Sequence, residues 1–548
     1  MPGPATLIRM SVSRRDLLSL MLAAPLAAPS CKQGRSAIPG KIRGASHEVG
    51  HRLKHAFYEK ASGDPERIGV AIVGAGPAGL CAAWRLARSR YFDYRIFDLE
   101  PHAGGTSAYG TDGVVPYPWG AHYVPVPFAE SRGLVLLLRE MGVLAGEPSA
   151  FEAREQYRIR QPEERLFYDG RWQSGLFPGR GASARDFSEL KVFEAEVDRW
   201  LGFRDGRGRR AFALPMRLGS DDARVTELDK QSAAEWAARR GIRSSRVLWY
   251  LELACGDDYG MTLEQTSAWA LLFYFCSRRE QARASSQPFV AWPEGNGRIV
   301  RHLVERSRRQ LRIESLVGDV IPKESEVQLA ILDARSGQLR RVVADHVILA
   351  VPQFVIGRIL RPWRERPPPH LAAFSYGAWL VANLHVKQPP KNVGAPPAWD
   401  NVLFDSPSLG YVSAGHQALR DLGPNVWTYY LPLTGDDPAL ERQRLMELDQ
   451  PAACRVVLGD LKQAHPDLES VVERLDVYRW GHAMVRPTPG FVWGDARREA
   501  VNVSMPRVHF AHSDLSGLAL FEEAQDRGVL AAERVLAALG RPAEPLAG

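Results

Sequence analysis

Three glycines are spaced as Gly-x-Gly-x-x-Gly in the stretch Gly74-Ala-Gly76-Pro-Ala-Gly79. Glycine acts here through the Cβ it lacks. At Gly74 the chain can turn tightly, at Gly76 backbone can approach a pyrophosphate, and at Gly79 a helix can pack close to a strand. The flanks agree with that chemistry. Ile68-Gly-Val-Ala-Ile-Val73 is a continuous β-branched run, as in a buried parallel strand, and Leu80 to Arg90 carries apolar residues near helical spacing. Arg95-Ile-Phe97 is a second strand, closed by Asp98. A helix that starts after the turn points free N–H groups and a positive dipole end at phosphates. Asp98 lies 19 residues beyond Gly79, where an acid accepts hydrogen bonds from ribose hydroxyls. The pattern predicts a dinucleotide-binding unit and does not by itself separate FAD from NAD.

The elements that must position these residues come from a chain of 548 residues, enough for two to four domains. Hydrophobic residues make up 45% and charged residues 24%, ordinary for a globular protein, so wholesale disorder, collagen and coiled coil are excluded. No internal repeat is visible. The five cysteines include no CxxC pair and do not form a disulfide scaffold, and no zinc-like spacing of His, Cys and acids occurs, so no metal is expected. Net charge is +7, and 60 of the 70 basic residues are arginine, scattered in short clusters. That is a solvated surface without the stripe or module that nucleic-acid binding needs.

The N-terminus carries an address. Ser13-Arg-Arg-Asp-Leu-Leu18 precedes an apolar stretch from Leu17 to Pro29, too short to span a membrane, and then Ser30-Cys31. The adjacent Arg14 and Arg15 resemble a twin-arginine signal. That resemblance implies export of a folded protein by the twin-arginine machinery to a periplasmic or other extracytoplasmic place. Residues 1–31 are expected to be the signal peptide and 32–66 a linker. Ala28-Pro-Ser-Cys31 is expected to fall at the signal cleavage region, with a lipid anchor at Cys31 as the alternative. No later apolar run is long enough for a transmembrane span.

Six positions after Asp98 comes Gly104-Gly105, then Thr106-Ser107. Here the chain resembles the flavin amine oxidase superfamily: monoamine, polyamine and L-amino-acid oxidases and their relatives. The resemblance implies FAD, with Gly104 and Gly105 along its diphosphate beside Ala78. Thr106 stands where the family usually has arginine. Trp119-Gly120-Ala121-His122-Tyr123 falls where the family brings a glycine turn onto the isoalloxazine, so His122 could contact flavin, bind substrate or only pack. Trp292 to Val300 resembles a helix opening, and Ile313 to Ile331 reads as two strands with a turn near Lys323. Val320 falls where the family sets a valine against adenine. Ala344 to Pro352 resembles the strand that returns to the cofactor, which places Ala350 beside it. Val508 to Asp514 resembles the strand whose closing acid, Asp514, binds the ribitol–diphosphate part, though Ser513 replaces the usual glycine. Phe521 to Gly528 resembles the flavin-binding helix start, with Glu523 where glycine is usual and the Ala524 N–H implied on the flavin C2 carbonyl. Trp480 matches a tryptophan near the flavin or is plain core.

The implied fold is α/β: an FAD/NAD(P)-binding Rossmann-like domain in three segments (67–129, 290–360 and 476–542) and a mixed α+β substrate domain (130–289 and 361–475). The expected function is an exported FAD-dependent oxidoreductase. It would oxidise a small-molecule amine or polyamine by hydride transfer to flavin N5, with His122 and Trp480 as catalytic candidates. The alternatives are a desaturase or dehydrogenase of the same fold acting on C–C bonds, and a flavin-bound binding or maturation protein without turnover. Asp257-Asp258 could recognise a cation or serve a turn or helix cap. Many family members hold a lysine near flavin N5; alignment places Val381 there, and Lys387 lies too far along the strand to replace it. Slow reaction with oxygen is the consequence.

Overall fold

The computed structural model describes residues 38–54, 58–147, 150–279, 288–541 and 543–546. The predicted signal, with Arg14, Arg15 and Cys31, lies outside the described residues. The described chain opens with a three-residue strand, β1 (Ile42–Gly44). The apolar run then forms β2 (Glu66–Val73), the glycine turn leads into α1 (Pro77–Arg88), and the chain returns through β3 (Tyr94–Phe97). β2 and β3 are parallel neighbours. Pro77 opens α1 because its missing N–H would have had no intrahelical acceptor.

The middle of the chain supplies a helical layer, in which α2 (Ser245–Tyr259) and α3 (Ala268–Cys276) are largely buried. The apolar stretch after Ser267 is thus a helix, with the Ser267 hydroxyl capping its first N–H groups. α4 (Gly297–Ser307) starts at the Trp292–Val300 segment as expected. β4 (Ser315–Pro322), β5 (Val327–Asp333) and β6 (Leu339–Leu349) follow, with the polar turn between β4 and β5. They complete the first sheet in the order Leu311–Arg312, β3, β2, β6, β5, β4.

The second sheet takes β7 (Tyr376–Val386), β8 (Asn425–Leu433) and, after α5 (Pro438–Glu447), the long β9 (Val472–Val485). β7 is its fully buried centre, antiparallel to both β8 and β9. β10 (Val508–Phe510) then returns to β6 of the first sheet, and α6 (Phe521–Ala538) packs on α1. The approach is close: a Cβ at Gly528 would lie 2.2 Å from the Ala78 carbonyl oxygen.

Two expected boundaries change. Residue 476 falls inside β9, whose hydrogen bonding to β7 continues to Val485, so that strand stays with the second sheet. The segment read as a linker to residue 66 contains β1, which pairs in parallel with β9 at the edge of the second sheet. Its polar composition reflects an edge strand with little side-chain burial.

Candidate active site

A cavity of about 810 Å³ runs along the carboxyl ends of β2, β3 and β6. Gly74, Gly76, Ala78, Asp98, Gly105 and Ala350 line it. The glycines divide their labour. A Cβ at Gly74 would sit 2.5 Å from the Ala350 carbonyl oxygen, and one at Gly79 only 1.9 Å from that of Gly74, so both permit protein–protein contact. Gly76 differs: its Cβ would meet nothing nearer than Gly105 Cα at 4.0 Å. That open space lies at the N-terminus of α1, where a phosphate finds free N–H groups. Gly104 and Gly105 have φ of +127° and +52°, and the Gly104 N–H bonds the Ala75 carbonyl, which fixes the second glycine pair against the first.

Asp98 accepts the Ala75 N–H at 2.5 Å on one carboxylate oxygen and the Glu100 N–H at 2.8 Å on the other. It therefore closes the glycine turn and keeps further lone pairs for a ribose. Burial pushes its carboxyl up to about 6, against the pull of those two amides. Asp514 also lines the cavity, in the turn after β10. Burial opposes its charge, but His512 and hydrogen bonds from the Tyr376 hydroxyl (2.6 Å) and the Gln353 amide (2.9 Å) hold it below the usual carboxylate range. Thr106 and Ser513 line the wall, and the arginines on it are Arg358, Arg442 and Arg479 from other elements.

Two expected contacts are corrected. Val320 is fully buried on β4 among core side chains, while Val317, on the same strand, lines the cavity. A register shift between Val317 and Asp319 interrupts the strand there, a feature that the resemblance implying Val320 does not carry. The Ala524 N–H already donates to the Leu520 carbonyl as an ordinary helical bond, although Ala524 does line the cavity. The free donors of α6 are those of its first turn, Phe521 to Glu523. Glu523, which replaces the usual glycine, turns away and accepts the Met216 N–H at 2.6 Å.

A second, smaller cavity of about 200 Å³ adjoins the first, and Thr106, Ala121, Trp480 and Phe521 belong to both walls. Gly120 brings the chain there by close approach: a Cβ would lie 2.2 Å from the Thr106 carbonyl oxygen. His122 lines this inner cavity, tilted against Tyr430 at 4.8 Å and Trp399 at 5.4 Å between ring centres. Burial pushes its imidazole down to about 4, so it is neutral at pH 7. Trp480 stacks on Tyr478 at 4.1 Å, and its indole N–H donates to the Trp119 carbonyl. Val381, 1% exposed, faces the same space from β7. No lysine lines either cavity among the described residues, and Lys387 falls just beyond β7.

The inner cavity is acidic. Asp257, Asp400, Glu163, Glu164 and Glu522 line it. Its one cation among the described residues, Arg278, is held by buried Asp258 through contacts of 2.7 and 2.9 Å. Burial first, then Asp258, pushes the Asp257 carboxyl up to about 7, with the Tyr123 and Tyr274 hydroxyls 3.4 Å away. Burial, then Asp257 and Glu164, raises Asp400 well above the carboxylate range, and burial brings Glu522 to about 7. Glu164 is raised too, by burial and then Glu163 and Asp257, although its side chain stays open to solvent along the cavity. Asp257-Asp258 lie in the last turn of α2, so the cap alternative is excluded. Glu164, Asp400 and Glu522 carried no sequence signal, because three distant segments bring them together.

These features define a two-cavity FAD-domain and substrate-domain fold. The comparisons agree. The model of the family "flavin containing amine oxidoreductase" matches residues 77–536, and the chain belongs to that family. A redesigned triple mutant of putrescine oxidase superposes with a TM-score of 0.64 at 17% identity, over 87% of this chain and all of that one. Wild-type putrescine oxidase bound to putrescine gives 0.63 at 16%, over 86% of this chain and 100% of the other. Cyclohexylamine oxidase from Brevibacterium oxydans gives 0.61 at 16%, with the same coverage. A comparison with curated proteins finds none that matches. The protein is an FAD-dependent amine oxidoreductase.

Proposed function

We propose that the substrate is an amine with a second positive charge, a diamine or polyamine, oxidised at the carbon beside one nitrogen. The observation that carries this reading is the carboxylate cluster inside an aromatic-walled cavity that adjoins the FAD cavity. One ammonium would sit among Asp257, Asp400 and Glu164, while His122, neutral at pH 7, adds no opposing charge. Trp399 and Tyr430 offer ring faces to a cation and exclude water. The raised carboxyls hold protons that a bound dication would displace, so a carboxylate is at hand to take the proton from the reacting nitrogen. Bound FAD supplies the two-electron acceptor, at N5. A neutral C–C substrate would make no use of this acidic cluster, which disfavours the desaturase reading.

The test is anaerobic reduction of the bound flavin by 1,4-diaminobutane and by butylamine. The diamine should show a KM lower by about tenfold, the scale of one charge-assisted contact. Asp257→Asn should remove most of that preference. Equal KM values in the wild type would overturn the dication reading.

The reading includes export by the twin-arginine route, with delivery outside the cytoplasm and either cleavage or lipidation near Cys31. Its support is the Ser13–Leu18 motif. Among the described residues no helix is long and apolar enough to cross a membrane.

A further inference from the structure

We infer that the segment from Gly40 to Leu53 is part of the cofactor site, a strap that joins both sheets and closes one wall around FAD. One end is bonded to the second sheet. β1 pairs with Val477, Tyr478 and Arg479, and the Pro39 and Lys41 carbonyls accept the Leu475 and Val477 N–H groups at 2.9 and 2.8 Å. The fit is close, since a Cβ at Gly40 would lie 1.8 Å from the Leu475 carbonyl oxygen. The partner strand, β9, also carries Trp480, which belongs to both cavities. The Arg43 guanidinium lies 5.7 Å from the Trp119 ring centre, and the Trp119 carbonyl accepts the Trp480 indole N–H.

The other end is bonded to the FAD domain. The Ser46 N–H and hydroxyl both donate to the Glu100 carboxylate, at 2.9 and 2.8 Å. Leu53, 8% exposed, joins the core formed by Val73, Phe97 and Leu349. Between these anchors, Ser46, His47, Gly50, His51 and Leu53 line the cavity together with Asp98, Glu100 and Val317. By the ribose role of an acid after the second strand, this is the adenosine end. The segment that forms the wall there is thus held at one end by an edge strand and at the other by a two-donor contact to a single carboxylate. Docking of the strap and binding of FAD must then favour each other, because a ligand that contacts only the docked state stabilises it.

The experiment compares full-length wild type with Ser46→Ala and Gly40→Val. FAD release is followed by flavin fluorescence, and amide exchange of residues 45–53 is measured with and without FAD. FAD should slow that exchange by at least about tenfold. Ser46→Ala should release FAD about fivefold faster, and Gly40→Val at least about tenfold faster, with excess FAD restoring its thermal midpoint toward wild type. Should Gly40→Val fail to fold, Ser46→Ala and the exchange data decide. Exchange unaffected by FAD, or release from Ser46→Ala within about twofold of wild type, would overturn the strap. Wild type that retains no FAD would overturn the cofactor reading instead.

Discussion

Val381 decides what the inner cavity offers beside the flavin end. A lysine at that place on β7 would present a charged donor to a water and favour electron and proton transfer to oxygen. Valine, 1% exposed, offers no such donor. Reoxidation of the reduced wild type in aerated buffer should therefore be slow by stopped flow, with a non-oxygen acceptor preferred. A rate equal to that of a lysine-bearing amine oxidase run alongside would show that the substitution has no consequence. Asp257 makes a prediction in pH. Its folded carboxyl lies at about 7, well above the ordinary value of about 3.9. The proton-bound form is favoured by the fold, so its stabilising contribution is complete at acid pH and lost as pH rises through about 7. Asp257→Asn should raise the thermal midpoint at pH 8 by roughly 1–3 °C and leave it nearly unchanged below about pH 4. A rise at low pH only would contradict the burial of this group. The same ionisation should lower the diamine KM as pH passes through 7 in wild type and not in Asp257→Asn.

At the scale of elements, the turn between β2 and α1 separates two uses of glycine. Gly79 allows the helix to reach the strand, whereas Gly76 leaves room that the protein itself does not fill. The backbone at Gly76 has φ −73°, which any residue adopts. Gly76→Ala should therefore fold with near-wild-type apoprotein stability yet bind FAD at least about tenfold more weakly, as read by flavin absorbance after desalting. Gly79→Ala should destabilise the apoprotein as well, because a Cβ there would lie 1.9 Å from the Gly74 carbonyl oxygen. Equal FAD retention in Gly76→Ala and wild type would mean that the phosphate lies elsewhere. The start of α6 follows the same logic: burying Glu523 against Met216 frees the first turn to face the cavity without a glycine.

At the scale of the molecule, the cavity that would hold FAD lies where segments far apart in sequence meet, from Ser46 to Ala524. Such a site is complete only when the whole chain has folded, so under the proposed twin-arginine route FAD loading would precede export. Arg14→Lys with Arg15→Lys should leave an FAD-loaded precursor in the cytoplasm, while wild type appears outside the inner membrane, as fractionation and immunoblotting would show. Equal export of both would show that the paired arginines are not the signal.

The sequence by itself determined the dinucleotide unit, because its contacts are local. A strand, a glycine turn and a helix lie within one short span, although the close contact that Gly74 permits is to Ala350, just past the distant β6. The return strand β6 and the Asp514 turn were legible through their resemblance to the family's motifs, which the structure places at the cavity. Val320 was misplaced because the resemblance that implied it carries no information about the shift in strand register beside Val317. Ala524 was misassigned because the helix start is set by the Leu520 carbonyl, a matter of one residue. Only the tertiary structure decided the acidic cavity and the strap. Asp257, Asp400 and Glu164 come from α2 and from two strands of the second sheet, and β1 pairs with residues more than four hundred positions away. Nothing in local chemistry distinguishes such acids from surface ones until burial raises their pKa values.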